Sequence, residues 1–343
     1  MLAPARYAWA PLRSVRFSLR SRLIMIEASG LTRYYGDFPA LRDASFTIED
    51  REIVGFLGLN GAGKSTVLKI LAGLLQPSAG ELKVGGVDAI ADPDALRRKI
   101  GFLPEEPPLY REMRVREFLH WCGQLKGQTK AEVTKALPQV LETCDLDRVA
   151  DRVIGELSHG YKKRVGIAQA IIHRPEVVIL DEPISGLDPQ QIVEMRKVVR
   201  SLKEHATVLI SSHILSEIEQ TCDRILVIHR GRLVAEGSEE ELGARRDHER
   251  HVTLVVRGDE GQLRALLDDS ELVERFELSV DKDGDLRVVV DLKADEREAL
   301  VRAVVEAGLG LRQLTQARSE LERVFLQLTA GDDAPAKTPE AAA

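Results

Sequence analysis

Residues Ile53 to Thr66 read IVGFLGLNGAGKST and predict a strand, a glycine loop and the start of a helix. The first five, Ile53 to Leu57, carry no charge and have the length of a buried strand. Residues Gly58 to Ser65 then fit the pattern G-x-x-x-x-G-K-[ST] at every fixed position. Such a loop points backbone N–H groups inward, and the helix N-terminus adds partial positive charge. A phosphate-binding loop is therefore favoured over a glycine-rich turn before an ordinary helix.

Two side chains of this loop indicate the ligand. The ammonium group of Lys64 is expected to neutralise the β- and γ-phosphates of a nucleoside triphosphate. The hydroxyl of Ser65 is expected to bind Mg²⁺ directly. The loop therefore predicts a nucleotide, with Mg²⁺, as the ligand.

The composition excludes several other classes of protein. The chain has 343 residues, of which 44% are hydrophobic and 30% charged, which is typical of a globular protein long enough for two domains. The net charge of −7 does not suggest nucleic-acid binding. Cys122, Cys144 and Cys222 have no metal-ligand spacing, which favours a reducing compartment. No apolar run approaches the roughly 18 residues that cross a bilayer, so the chain is not expected to form a pore.

Two later strands are expected to deliver polar groups to the same place. Residues Val177 to Leu180 are followed directly by Asp181 and Glu182, and a second apolar strand ends at His213. Open α/β sheets bind ligands at the carboxyl ends of their strands. After a phosphate loop, two carboxylates at such an end predict a reactive site rather than an acidic strand cap.

Helices are expected between these strands. Apolar positions three and four apart make residues 115–153 mostly helical, with a kink or break at Pro138. Asp92 and Pro93 predict the start of a short helix. After the segment LSHGYKKR, a helix is expected from Val165 to His173.

The ends of the chain predict three further segments. Residues 1–24 contain five arginines and no acidic residue. They fit a basic arm, a targeting segment or an upstream start, and the last, with Met25 as the true beginning, is favoured. Residues 246–330 predict the ferredoxin-like order β-α-β-β-α-β followed by one helix. Residues 331–343 predict a disordered tail.

The motifs GLNGAGKST, LSHGYKKRV, VVILDEP, SGLD and the histidine of SSH occur in that order. Together they closely resemble the ATP-binding subunit of an ABC transporter. The resemblance implies an α/β fold, in which a P-loop NTPase core of the ABC ATPase type spans residues 25–245. A helical subdomain is expected at about residues 105–165, and a small α+β ferredoxin-like domain at the C-terminus. The C-terminal part resembles exporter-type ATPases, and a finer likeness points to gliding-motility, sodium or copper-site systems.

The resemblance also implies a role for individual residues. Tyr35 would stack on adenine, Glu182 would be the general base, and His213 would contact the γ-phosphate. Ser158 and Gly160 would reach the nucleotide of the opposite subunit, with Asp188 at the dimer seam. The residues implied for ATP binding are Tyr35, Gly58, Asn60, Gly61, Ala62, Gly63, Lys64, Ser65, Thr66, Ser158, Gly160 and Asp188. Those implied for catalysis are Glu182, His213 and Glu105, and those for Mg²⁺ are Ser65, Asp181 and Glu105.

Four positions depart from the commonest pattern of the family. Glu105 stands where glutamine is usual, which keeps a metal ligand but adds negative charge near the γ-phosphate. In the signature segment, His159 replaces glycine and Tyr161 replaces glutamine. Ile184 stands where threonine is common. We interpret these changes as subfamily variation that leaves the coupling role of Glu105 open.

The implied partners are an integral-membrane permease and a second cassette, and no nucleic acid is expected. The chain would lie in the cytoplasm, on the inner face of the cytoplasmic membrane. Residues Pro107 to Phe118 are expected to dock the permease, with Leu109 and Tyr110 as apolar anchors.

An alternative is a soluble ABC-type ATPase that acts on ribosomes or DNA. One phosphate loop, without heptads between Lys64 and Ser158, does not favour it. An unrelated P-loop kinase is disfavoured by LSHGYKKR before VVILDEP.

Overall fold

The computed structural model describes residues 23–238, 251–280 and 284–316. Residues 1–22 of the predicted arm, the helix expected after the ferredoxin-like order and the predicted tail lie outside this part. The strands are β1 (Ile24–Tyr35), β2 (Phe38–Glu49), β3 (Ile53–Leu57), β4 (Ala79–Val84), β5 (Val87–Asp88), β6 (Ile100–Leu103), β7 (Val177–Leu180), β8 (Thr207–Ser212), β9 (Arg224–His229), β10 (Arg232–Ser238), β11 (His251–Arg257), β12 (Val273–Val280), β13 (Leu286–Leu292) and β14 (Gly310–Gln316). The helices are α1 (Lys64–Leu71), α2 (Pro93–Lys99), α3 (Val115–Leu125), α4 (Lys130–Thr143), α5 (His159–Ile171), α6 (Pro189–Leu202), α7 (Leu215–Glu219), α8 (Glu260–Asp268) and α9 (Arg297–Glu306).

The strands form three sheets. The central six-stranded sheet has the order β10-β9-β3-β8-β7-β6 and is parallel except for the β9–β10 hairpin. A second, antiparallel sheet has the order β2-β1-β4-β5. The third has the order β12-β13-β11-β14 and is also antiparallel. The first two sheets confirm the predicted α/β fold of the core.

The central strands lack charge because both of their faces are covered. In β3, Ile53 and Leu57 pack into the core formed with α3 to α7. Val54 and Phe56, which point the opposite way, pack into the core that contains β1, β2 and α1. Alternate residues of a strand point to opposite faces, so a strand buried on both sides is apolar throughout. The cost of burying a charged side chain without a partner explains the composition of IVGFL.

Helix starts are set by side-chain caps. Asp92 Oδ1 accepts from the N–H of Ala95, which confirms the short helix α2. Ser158 caps α5, so this helix begins at His159, and the prediction of a start at Val165 is wrong. The first turn of α5 is polar, so apolar periodicity does not reveal it. The cap at Ser158 defines the start and places the signature residues in that first turn.

Helix α4 runs through Pro138 without the break that was predicted as one of two possibilities. Val133, Leu137 and Val140 hold both halves of α4 in the core, which compensates for the hydrogen bond that proline cannot donate. The helical region is interrupted instead at residues 126–129, where Gly127 has φ 88°. Within the described residues, no helix combines the length and apolar character needed to cross a membrane.

The C-terminal residues form a small α+β unit with the predicted element order. Its elements follow one another as β11, α8, β12, β13, α9 and β14. Val252, Leu254, Val288 and Val290 lie in its own apolar core, which the inward positions of β11 and β13 share with α8 and α9. This order and the antiparallel strand arrangement are those of a ferredoxin-like sheet.

The register of the central sheet brings three strand ends together. Leu180 of β7 pairs with Ile210 of β8, and Leu57 of β3 pairs with Ser212 of β8. The loops that follow these parallel strands therefore leave the sheet at the same edge. They are the glycine loop, the Asp181–Glu182 pair and the residues around His213.

Candidate active site

The glycine loop passes from β3 into α1 in a conformation that two glycines require. Gly63 has φ 112°, and a Cβ there would lie 2.7 Å from the carbonyl oxygen of Ala40. A Cβ at Gly58 would lie 2.4 Å from the carbonyl oxygen of Ile228. The loop is thus pressed against neighbouring backbone, and α1 begins at Lys64. Residues 58–63, with Asn60 and Ala62 among them, form the loop, and Lys64, Ser65 and Thr66 form the first turn of α1, an arrangement suited to phosphate.

The side chain of Lys64 is buried and folds back over this loop. Its Nζ donates to the carbonyl of Gly58 at 2.7 Å and to that of Leu59 at 3.3 Å. The same Nζ lies 3.4 Å from Glu182 Oε1. A buried ammonium needs such partners, because an unpaired charge is costly in the interior. Phosphate oxygens placed over the loop would offer Lys64 stronger, charged acceptors.

Hydroxyl and carboxylate oxygens meet beside the loop. Ser65 Oγ lies 3.3 Å from Asp181 Oδ1. Ser211 Oγ donates to the same Asp181 oxygen at 2.6 Å and fixes its orientation. Two hard oxygen ligands, from Ser65 and Asp181, suit Mg²⁺, which takes few protein ligands and completes its shell with phosphate and water. Among the described residues, no cluster of three or more His, Cys, Asp or Glu side chains is suited to hold a metal.

The N–H, the carbonyl and the carboxylate of Glu182 all have partners within the protein. Its N–H donates to Ser211 Oγ at 2.9 Å, and its carbonyl accepts from Lys163 Nζ at 3.2 Å. Its Oε2 lies 3.1 Å from His213 Nδ1, while Oε1 faces Lys64. Glu182 has φ 48°, in the left-handed region that a glutamate rarely adopts. Backbone strain of this kind concentrates at functional sites and persists only where surrounding contacts enforce it.

The signature residues come together at a different cavity. Ser158 Oγ accepts from the N–H of Tyr161 at the start of α5. Asp188 Oδ1 accepts from the N–H of Gln191 at the start of α6. A Cβ at Gly160 would lie 2.6 Å from Gln191 Oε1, so the two helix starts are in close contact. They line an open cavity of about 260 Å³, and no residue of the glycine loop contributes to its wall.

Two predicted site residues lie neither among the residues around the glycine loop nor among the signature residues. The ring of Tyr35 is about half exposed at the end of β1, and the guanidinium carbon of Arg33 lies 5.2 Å from its centroid. Glu105 is exposed, and its carbonyl accepts from Lys163 Nζ at 2.5 Å. The Glu105 carboxylate makes no hydrogen bond or ion pair with any residue in the described part of the chain. The link between Glu105 and Glu182 therefore runs through the backbone and a lysine.

Sequence reasoning missed two residues of the site. Ser211 precedes the SSH histidine by two positions, and its role follows from the alternation of β8, which turns it toward Asp181. Lys163 lies inside the quoted signature segment, but no role was predicted for it. Its burial was not expected, since lysine is rarely buried without partners.

Comparisons with known proteins agree with this arrangement. The profile of the family described as ABC transporter matches residues 41–185. The bacitracin transport ATP-binding protein BcrA of Bacillus licheniformis is 34% identical over 309 residues, which are 90% of this chain and 98% of that protein. This chain belongs to the ATP-binding subunits of ABC transporters. ATP hydrolysis coupled to a membrane transporter is the activity of such subunits.

Further relatives of this ABC ATP-binding subunit match over a similar length. The daunorubicin resistance ATP-binding protein DrrA3 of Streptomyces coeruleorubidus is 36% identical over 90% of this chain and 96% of its own. The Nod factor export ATP-binding protein I of Rhizobium meliloti (strain 1021) is 34% identical over 89% of this chain and 88% of its own. These names agree with the predicted exporter type. The finer likeness to gliding-motility, sodium or copper systems stays a prediction.

Solved structures show the same fold for the core. A structure described as an ATP binding subunit of an ABC transporter has a TM-score of 0.57 at 33% identity, and the match covers 63% of this chain and 91% of that one. A dimeric ATP-binding cassette in a post-hydrolysis state, bound to ADP and Pi, has a TM-score of 0.57 at 26% identity, with 63% and 99% covered. The P-loop NTPase fold of the ABC ATPase type is thereby confirmed.

Proposed function

We propose that two copies of this chain bind two ATP molecules between them and that hydrolysis drives a separate exporter-type permease. Each ATP would lie between the glycine loop of one copy and Ser158 with Gly160 of the other. The observation that supports this proposal most directly is the position of the Glu182 carboxylate, which lies between Lys64 and His213. The paired oxygens of Asp181 and Ser65 lie beside it. A mixed pair with a related cassette would form the same two sites. The transport and resistance names of the relatives do not favour the ribosome or DNA alternative.

Each polar residue at the loop would take its own step in this function. Lys64 would leave the carbonyl of Gly58 and bind the β- and γ-phosphates, while backbone N–H groups of residues 61–66 cradle them. Ser65 and Asp181 would hold Mg²⁺, with Asp181 acting through water. Mg²⁺ supplies neutralisation of the phosphate charge that develops during transfer. Glu105, which follows β6, would approach the same group from the neighbouring strand.

Hydrolysis then depends on a positioned water molecule. Glu182 would accept a proton from this water, a contribution of about 10²–10⁴ in rate for a general base. His213, whose Nδ1 is bonded to Glu182, would orient the carboxylate and contact the γ-phosphate. Tyr35 would stack on adenine at the edge of the site. Ser158 and Gly160 of the second copy would complete the phosphate cage, with Asp188 at the seam between copies.

The permease is proposed to dock on an exposed aromatic pair next to the loop that follows β6. The ring centroids of Tyr110 and Trp121 lie 4.8 Å apart, edge to face, and both rings are exposed. Leu109, predicted as an anchor, is partly buried and packs against the main core. Phe118, at the end of the predicted docking stretch, is buried beneath the pair. The proposed docking surface is therefore centred on the more exposed Tyr110 and Trp121. Such docking would place the chain on the inner face of the cytoplasmic membrane.

Replacement of Tyr110 and Trp121 by aspartate is expected to abolish membrane recruitment, because charge on both rings removes the apolar contact with the permease. ATP hydrolysis by the isolated protein should remain within about three-fold, since neither ring contacts the site. The assay is the fraction of the chain that sediments with membranes of its native host. Leu74→Asp, a change at another exposed apolar residue, is the matched control. Recruitment that survives the double change would place the docking surface elsewhere.

We propose that residues 25–245 form the nucleotide-binding domain, with its helical subdomain at about residues 105–165, and that residues 246–330 form an accessory domain. The separate apolar core of β11 to β14 supports this division. Relatives such as BcrA match across both parts, which supports a shared role in exporters. The accessory domain carries no part of the site described above. Its proposed role is dimer contact or regulation.

A protein that ends at Leu242 is expected to bind ATP within about three-fold of the full chain, because the glycine loop and its partners all precede that residue. Equilibrium binding of a fluorescent ATP analogue measures this, with circular dichroism as the control for folding. A protein that starts at Met25 serves as a companion and should also bind ATP normally. Loss of ATP affinity in the folded, shortened protein would contradict the proposed division.

A further inference from the structure

Lys163 connects two segments that belong to different parts of the site. It is the fifth residue of α5, and only 2% of its surface is exposed. Its Nζ donates to the carbonyl of Glu105 at 2.5 Å and to the carbonyl of Glu182 at 3.2 Å. One ammonium group therefore joins the loop after β6 to the peptide of the proposed general base.

Helix α5 is fixed to the segment that carries Glu105. Gln169 Nε2 donates to the carbonyl of Phe102 at 2.9 Å. A Cβ at Gly166 would lie 2.5 Å from Leu103 Cδ1 and 3.0 Å from Pro107 Cβ, so helix and segment touch without a gap. Close packing transmits a displacement instead of absorbing it. The helix and the Glu105 segment are therefore expected to move together.

Glu182 is the part of this arrangement that can respond. Its φ is 48°, its N–H donates to Ser211 Oγ, and its carbonyl accepts from Lys163 Nζ and from the N–H of Ser185. Loss of the bond with Ser211 or with Lys163 is expected to weaken the hold on this strained peptide. A shift of α5 or of the Glu105 loop therefore changes the direction of the Glu182 carboxylate. Ser158 caps the start of the same helix, five residues before Lys163 in the chain.

We propose that Lys163 is a positioning residue, which makes the hydrolytic orientation of Glu182 depend on the loop after β6 and on helix α5. The inference rests on the proposed function, because it describes regulation of that site. A permease that docks on Tyr110 and Trp121 could then displace the Glu105 loop and, through Lys163, change the orientation of Glu182. This link through Lys163 also gives Glu105 a role that does not require its carboxylate to reach the metal.

The ammonium group of Lys163 is surrounded by several carboxylates. Burial lowers the pKa of Lys163, and the carboxylates of Glu105, Glu182, Asp181 and Glu106 act in the opposite direction. The ammonium group thus partly balances the negative charge that Glu105 adds to the site. A neutral side chain of the same length would remove the donor to both carbonyls and leave that of Glu182 with the N–H of Ser185 alone.

The kinetic test compares Lys163→Met with Lys162→Met. Methionine keeps the length of lysine and removes the donor. Lys163→Met should lower kcat by about 10-fold to 10²-fold and leave KM for ATP within about three-fold, because ground-state binding is unaffected. Lys162 donates to the carbonyl of Gly155 and reaches neither segment, so its variant should keep kcat within about three-fold. Lys163→Arg should recover most of the loss, since arginine can donate to both carbonyls.

Amide hydrogen exchange tests the same link without hydrolysis. In Lys163→Met, peptides that cover residues 105–110 and 182–186 should both exchange faster, while peptides from β3 and β8 stay unchanged. Unchanged exchange in both segments, or a kcat equal to that of Lys162→Met, would overturn the proposal. Uniformly faster exchange with a parallel rise in KM would make Lys163 merely structural and would also overturn it. A wild-type chain without ATPase activity would refute the proposed function, whereas exchange would still decide the role of Lys163.

Discussion

Replacement of Glu182 by glutamine is expected to lower ATP turnover by about 10²-fold or more, while ATP affinity remains within about three-fold. The amide has the shape of the carboxylate and can still accept a hydrogen bond from His213. It cannot accept a proton from water at neutral pH. Glu182 does not contact the glycine loop except through Lys64, 3.4 Å away, so ATP binding should survive the change. The effect therefore separates the proton acceptor from the phosphate cradle.

The measurement is steady-state phosphate release together with equilibrium binding of ATP. Glu176→Gln is a matched control, because Glu176 immediately precedes β7 while Glu182 closely follows it. Glu176 pairs with Lys99 at the other edge of the sheet, and its loss should leave turnover within about three-fold. A Glu182→Gln protein that turns over ATP almost normally would contradict the assignment of the general base.

Replacement of Ser158 by aspartate is expected to abolish hydrolysis, with a fall of about 10²-fold or more, and to leave the fold intact. Aspartate caps a helix as well as serine does, so α5 should begin where it does now. Its carboxylate would, however, face the γ-phosphate that the opposite copy presents. Repulsion between like charges at an interface costs several kcal/mol. ATP binding to the glycine loop of the same copy should persist.

Asparagine at the same position is the matched control for this change. Ser158→Asn also caps the helix and carries no charge, so it should reduce hydrolysis by less than about 10-fold. Thermal unfolding of both variants checks that α5 is preserved. Equal losses for aspartate and asparagine, with folding intact, would show that Ser158 does not face a phosphate group.

Much of the fold and of the loop could be predicted because the motifs are local. The run IVGFL followed by GLNGAGKS fixes strand, turn and helix within one segment, and the structure reproduces it. The order of elements in the C-terminal unit also followed from periodicity in the sequence. The start of α5 did not, because its first turn holds His159, Tyr161 and Lys162, whose polarity hides a helix that the cap at Ser158 defines.

The support around Glu182 could not be predicted from local sequence. Ser211 and Lys163 reach it from β8 and α5, and such contacts depend on sheet register and helix packing between distant segments. The left-handed backbone of Glu182 likewise follows from these contacts and not from the residue itself. The partial burial of Leu109 could not be predicted either, since it depends on the core beneath the loop.

The claim that one ATP site needs two copies of the chain is tested most directly by the mass of the Glu182→Gln protein in solution. Sedimentation at saturating Mg²⁺ and ATP should show twice the mass of the chain, and the same protein without nucleotide should show the single mass. Addition of Ser158→Asp should return it to the single mass with ATP still bound. A Glu182→Gln protein that binds ATP and stays a single chain, or a dimer that the Ser158→Asp change does not affect, would contradict the shared site.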